Sequence, residues 1–154
     1  MSLALSLARD RPVLLVDADA GAAGASARLK VTPEKGWRDA FAEPTLSPDR
    51  LIVRTELDGR ALLGPGGPRA DLLRLIASRR TVQLLHELLA EDPSRLILID
   101  GPALCRPEAQ ALALFAGQVV LVVAAGRTAR GAIQSALARL GDRPNVTLLL
   151  NRPR

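Results

Sequence analysis

Four stretches of this chain are apolar almost without interruption: VLLVD at 13–17, LILID at 96–100, VVLVV at 119–123 and VTLLLN at 146–151. A strand with one face in water alternates apolar and polar residues, whereas a strand covered on both faces need not, so these runs read as buried parallel strands. LIVRT at 51–55 alternates more and suits a sheet edge. Helical spacing fills the gaps. In RTARGAIQSALARLGD, Thr128 is a candidate cap, Ile133, Ala136, Leu137 and Leu140 share a face, and Gly141 is a stop. In CRPEAQALALFAG, Pro107 and Glu108 suit a first turn and Gly117 an end. Asp71 and Thr81 are candidate caps for LLRLIA and VQLLHELLA. Strand alternating with helix predicts a three-layer α/β fold, a mostly parallel sheet with helices on both faces and right-handed crossovers. With 154 residues, no internal repeat and no dividing linker, a single domain spanning 1–154 is expected.

In such sheets ligands gather beyond the carboxyl ends of the strands. That directs attention to Asp17 and Asp19, to Asp100 with Gly101 and Pro102, to Ala124–Arg127, and to Asn151 with Arg152. Carboxylates at neighbouring strand tips repel and raise one another's pKa unless a cation compensates. Magnesium suits that role, because it takes oxygen ligands, keeps several waters and is usually shared with substrate phosphates. GAAGAS at 21–26 could offer backbone amides to an anion, yet it fits neither G-x-x-x-x-G-K-[ST] nor G-x-G-x-x-G, and no lysine follows closely. It reads as a flexible turn. LGPGGPRAD at 63–71 carries two prolines without amide hydrogens and reads as a connection. His86 is the one histidine and reads as a helix-surface residue; Cys105 reads as a small buried hydrophobe; Trp37 and Phe41, four apart, read as a packing pair.

Composition narrows the function further. The net charge is +5, and lysine occurs only at 30 and 35, so the positive charge is almost all arginine. Arginine suits phosphates and acidic partners. Here it is scattered, and aromatic content is 2%, so a solvated surface accounts for it and nucleic acid binding is not expected. A lone cysteine fits a reducing cytoplasm. The apolar start MSLALSLARDR lacks a basic region before its apolar run, and ALALFAGQVVLVVAAG is too short to span a bilayer, so no membrane span is expected.

Taken in order, these segments resemble a known family. PVLLVDADAG resembles the second acidic Walker motif, Walker A′, of bacterial tyrosine kinases of the capsule and exopolysaccharide type, which are relatives of the MinD and ParA P-loop NTPases. LILIDGPAL looks like their Walker B strand, and KGWRDAFAE and PRADLLRLIASRRTVQLLHEL are similar to the segments between. VVLVVAAGRTARGAIQSAL and VTLLLNR match the later strand, helix and closing strand, so the resemblance runs from about Ser2 to Arg152. It implies ATP and magnesium as cofactors. Asp17 and Asp19 would be catalytic and metal-side residues, with Asp17 a candidate base; Asp100 would hold magnesium through water. Asn151 would recognise adenine, with Arg152 beside it. It also implies a protein partner such as a membrane polysaccharide co-polymerase or a second copy in a homo-oligomer, and a cytoplasmic place at the inner membrane face through that partner.

The sequence departs from the family where the phosphate is held. The family opens with a strand and a G-x-G-K-[ST] loop, whereas these 154 residues begin at a segment like the later part of the following helix and contain no tyrosine. The expectation is therefore a truncated or degenerate domain, inactive as a kinase as written, acting by interaction. In the family the missing strand sits between the Walker B strand and the VVLVV strand, and its loss would unpair two rows of backbone groups at about 1 to 3 kcal/mol per buried group. Three closures are available: LILID pairs with VVLVV directly, another chain supplies a strand, or residues upstream of Met1 do. Competing readings are a ParA- or MinD-type partition or positioning ATPase on DNA or membrane, and a non-binding α/β remnant.

Overall fold

The structure, a computed structural model, describes residues 11–19, 24–55, 60–67 and 72–152. They fall into two compact units, 1–102 and 103–154, taken here in turn.

In the first unit a four-stranded sheet runs in the order β2-β3-β1-β4. Its strands are β1 (Val13–Asp17), β2 (Ile52–Arg54), β3 (Arg60–Leu63) and β4 (Leu96–Asp100). Every residue of β1 is buried, as its unbroken apolar run requires. β1 pairs in parallel with β3 on one side and β4 on the other, while β2 joins β3 antiparallel at the edge. The edge position expected of LIVRT is thus found. β3 was not expected; it is a four-residue strand whose Leu62 and Leu63 are fully buried.

Helix α1 (Ala25–Leu29) packs onto this sheet through Ala25 and Leu29 against Leu15 and Leu62, with Leu98 beside them. Helix α2 (Trp37–Ala42) is seated on the glycine-rich segment after β3, where the Trp37 amide donates to the Gly64 carbonyl at 3.0 Å. The Asp39 carboxylate then accepts from the Gly36 amide at 2.8 Å and the Gly67 amide at 3.3 Å. Gly66 adopts φ +72°, and a Cβ on Gly36 would lie 2.0 Å from the Gly64 carbonyl oxygen, so both positions exclude side chains. The connection between β3 and the next helix is therefore also the socket for α2. Trp37 and Phe41 do pack, edge to face, with centroids 5.1 Å apart.

Helix α3 (Leu72–Ile76) leads into α4 (Arg79–Glu91). The cap of α4 is Ser78, which accepts from the Arg80 amide, and not Thr81; the Thr81 hydroxyl lies inside the first turn and donates to the Ile76 carbonyl at 2.6 Å. A serine directly before the helix wins because its oxygen reaches the second helical amide, whereas Thr81 is already helical. Asp71 lies outside the described residues. His86 is exposed on α4, as expected. The Arg80 guanidinium ties α4 to α2 by donating to the Ala40 carbonyl at 3.2 Å while pairing with Glu87 at 2.6 Å.

The second unit contains α5 (Pro107–Ala113), β5 (Val119–Ala124), α6 (Arg130–Leu140) and β6 (Val146–Asn151). β5 and β6 form a parallel pair in register from Val119↔Val146 to Ala124↔Asn151. Two caps differ from expectation. Thr128 does not cap α6: its hydroxyl accepts from the Ala124 amide, and Ala129 stands at the cap position without a side-chain bond. Helix α5 stops at Ala113, before Gly117, because Arg143 donates to the Ala113 carbonyl and Asn145 binds those of Ala116 and Gly117. Gly141 does end α6, at φ +66°. Cys105 is exposed, contrary to the buried role expected, because it lies in the turn before α5 and not on its packed face.

β4 and β5 belong to different sheets. Among the described residues β4 has one strand neighbour, β1, and β5 has one, β6.

Candidate acidic site at the strand ends

The acidic site is built by the register of two strands. Asp17 ends β1, Asp100 ends β4, and the two are direct partners in the parallel ladder. Adjacent strands lie about 4.8 Å apart and paired residues face the same way, so the two carboxylates project from one rim. Beyond this rim the amides of Ala18 and Asp19 both donate to the Asp100 carbonyl, at 2.9 and 3.1 Å, which winds the chain across the end of β4. Asp17 and Asp100 are thus neighbours at the strand ends, with the Asp19 backbone beside them.

Asp17 is held from three sides. Its carbonyl accepts from the Trp37 indole at 2.8 Å, its Oδ2 accepts from the Ser26 amide at 2.7 Å, and Gly24 lies flat against the carboxylate. A Cβ on Gly24 would stand 2.8 and 2.9 Å from the two carboxylate oxygens and 2.4 Å from the Asp19 carbonyl oxygen. Asp17 is only 1% exposed, yet its Oδ1 has no partner among the protein atoms, and the same is true of the buried Ser26 hydroxyl. Each such group costs about 1 to 3 kcal/mol when left unsatisfied. A buried, unpartnered carboxylate oxygen beside two more carboxylates is the donor chemistry of a hard cation. Among the described residues no three His, Cys, Asp or Glu residues are placed to hold a metal unaided. A cation here would take its remaining oxygens from water and phosphate, as magnesium commonly does.

Partial burial raises the Asp100 carboxyl above its ordinary value, and the charges of Asp17 and then Asp19 add to this, with Arg28 acting the other way. The Ser26 amide, at the end of GAAGAS, is engaged by Asp17 and is not free for a phosphate.

Asn151 and Arg152 lie in the second unit at the carboxyl end of β6 and are exposed. The Asn151 carbonyl accepts from the Ala125 amide at 2.8 Å, so the turn after β5 is anchored by backbone while both side chains face solvent. Gly24, Ser26 and Trp37 escaped the sequence reading as site residues. The only signal was the placement of small residues shortly after an acidic strand tip.

No protein-family model matches the chain, and no curated protein matches it in sequence. Solved structures do. The VpsO kinase domain superposes with a TM-score of 0.81 at 25% identity, covering 99% of this chain and 75% of that one. The chimerical protein CapA2B2 gives 0.80 at 21%, covering 99% and 68%, and the kinase domain of the Escherichia coli tyrosine kinase ETK gives 0.80 at 22%, covering 97% and 58%. At these identities the last two establish the fold.

Proposed function

We propose that this chain, whose fold is that of the bacterial tyrosine kinase domains, is a kinase-like, ATPase-like domain that carries the acidic half of an ATP–magnesium site and acts through protein interaction, transferring no phosphate as written. The α/β architecture matched over 99% of the chain supports the family side of this reading and its treatment as one domain. The observation that carries it is the pairing of Asp17 with Asp100 in a sequence without a G-K-[ST] loop or a tyrosine.

In this reading Asp17 Oδ1 and the Asp19 and Asp100 carboxylates face the cation, and Asn151 and Arg152 are the residues that the resemblance assigns to adenine. Magnesium, when bound, neutralises phosphate charge beside the acidic rim. The protein's own part is orientation: the Ser26 amide fixes one oxygen of Asp17, and the Trp37 indole fixes the backbone behind it. In the family a loop lysine holds the phosphates and the following Ser or Thr hydroxyl the magnesium, and these 154 residues contain no G-K-[ST] loop. Among the described residues no helix is long and apolar enough to cross a membrane. A membrane-bound polysaccharide co-polymerase, or a second copy of the chain, is the partner class proposed, linking the domain to capsule or exopolysaccharide production at the inner membrane face.

Calorimetric titration with a non-hydrolysable ATP analogue and magnesium tests the degenerate reading. Absence of binding in the micromolar range is expected; micromolar affinity would refute it.

A further inference from the structure

We propose that Ser26 is an additional oxygen donor to the cation at Asp17, its hydroxyl binding the ion or one of its waters, with Gly24 keeping that place open. The inference rests on the acidic half-site reading above and adds a residue to it.

Three observations converge. Ser26 is 7% exposed, and its hydroxyl has no partner among the protein atoms. Its own amide bonds to Asp17 Oδ2 at 2.7 Å, which fixes the hydroxyl-bearing residue against the carboxylate whose other oxygen is equally buried and unpartnered. Residue 24, two positions earlier, approaches both carboxylate oxygens so closely that a Cβ would stand within 2.9 Å of each. A serine hydroxyl commonly satisfies itself on a nearby backbone carbonyl, as Ser78, between α3 and α4, does on Leu75 at 2.6 Å. The Ser26 hydroxyl has no such partner. Two oxygens on neighbouring, mutually bonded residues, both removed from water and both unsatisfied, are the arrangement a hard cation or its bound water completes. The site does not depend on the end of α1, because the Ser26 amide is already engaged.

The test uses the full chain and manganese(II) as the probe, followed by electron paramagnetic resonance, with thermal unfolding of each metal-free variant alongside. Saturable binding by the wild type is expected, with loss in Asp17→Asn. Ser26→Ala is expected to weaken binding by about 10- to 100-fold, the range for groups that orient or supplement metal ligands. Ser26→Thr, which keeps a hydroxyl, retains most of it. Metal-free Ser26→Ala is expected to melt no lower than wild type, since it removes an unsatisfied buried group; a hydroxyl needed only for the fold would give the reverse. Wild-type affinity in Ser26→Ala, with binding still abolished by Asp17→Asn, overturns the role of Ser26 and leaves the half-site standing. Manganese that fails to bind, or binds indifferently to Asp17→Asn, overturns both.

Discussion

Replacing Gly36 by alanine tests how α2, and with it the support of Asp17, is held. The new Cβ would stand 2.0 Å from the Gly64 carbonyl oxygen and 2.4 Å from the Gly66 amide nitrogen. Both are backbone atoms, so no flexible side chain can give way, and ordinary contact begins only near 3.4 Å. Relief requires α2 to lift from its socket, which stretches the Trp37 amide bond to Gly64 and the Arg38 amide bond to Pro65. Overpacking of this kind costs about 1 to 3 kcal/mol, and each weakened bond adds about 0.5 to 1.5 kcal/mol. A loss of about 2 to 6 kcal/mol follows. With a urea slope of about 2 kcal/mol per molar, the midpoint should fall by roughly 1 to 3 M. Trp37 is the one tryptophan and the chain has no tyrosine, so intrinsic fluorescence follows unfolding at this very helix. Gly131→Ala is the counterpart, since its Cβ meets nothing within 4 Å on the exposed face of α6 and should stabilise by about 0.5 to 1 kcal/mol. An unchanged midpoint in Gly36→Ala would refute the socket.

Asp100→Asn should stabilise the protein at neutral pH. Because the native carboxyl titrates above its unfolded value, the folded state holds its proton longer, and stability is lost as pH rises through that window; melting curves of both proteins should therefore converge below about pH 3.5 and separate towards pH 7, and a variant no more stable at pH 7 contradicts the charge account. Ser78→Ala should cost about 0.5 to 2 kcal/mol through loss of the α4 cap, read by urea denaturation, whereas an unaffected midpoint would return the cap to another residue. Leu62→Ala, at a fully buried residue of the unexpected strand β3, should cost about 2 to 5 kcal/mol, and a cost below about 1 kcal/mol would remove Leu62 from the core.

How much of this was legible in the sequence depended on where the information lay. β1, β4, β5 and β6 announce themselves because a strand buried on both faces must be apolar throughout, and the carboxylates that end β1 and β4 could be aligned before any coordinates. β3 hid because four residues, RALL, carry too little pattern, and the glycines and prolines that follow drew the whole segment into a connection. Its strand character comes from partners 47 positions away, as in Val13↔Arg60. The same holds at the site. Trp37 looked like packing, and is, but its indole also reaches the Asp17 carbonyl across 20 positions. Ser26 and Gly24 looked like turn residues, and only the folded chain lays them on the carboxylate. Local patterns reveal strands and acidic tips; contacts between a loop and a strand end are set by tertiary packing.

The central proposal is that Asp17 and Asp100 form the acidic half of an ATP–magnesium site and that these 154 residues by themselves transfer no phosphate. It is tested most directly by incubating the chain and its Asp17→Asn variant with γ-labelled ATP, magnesium and a tyrosine-containing peptide, and measuring label on tyrosine. The account predicts no transfer above background in either protein, and transfer by the wild type that disappears with Asp17→Asn would contradict it.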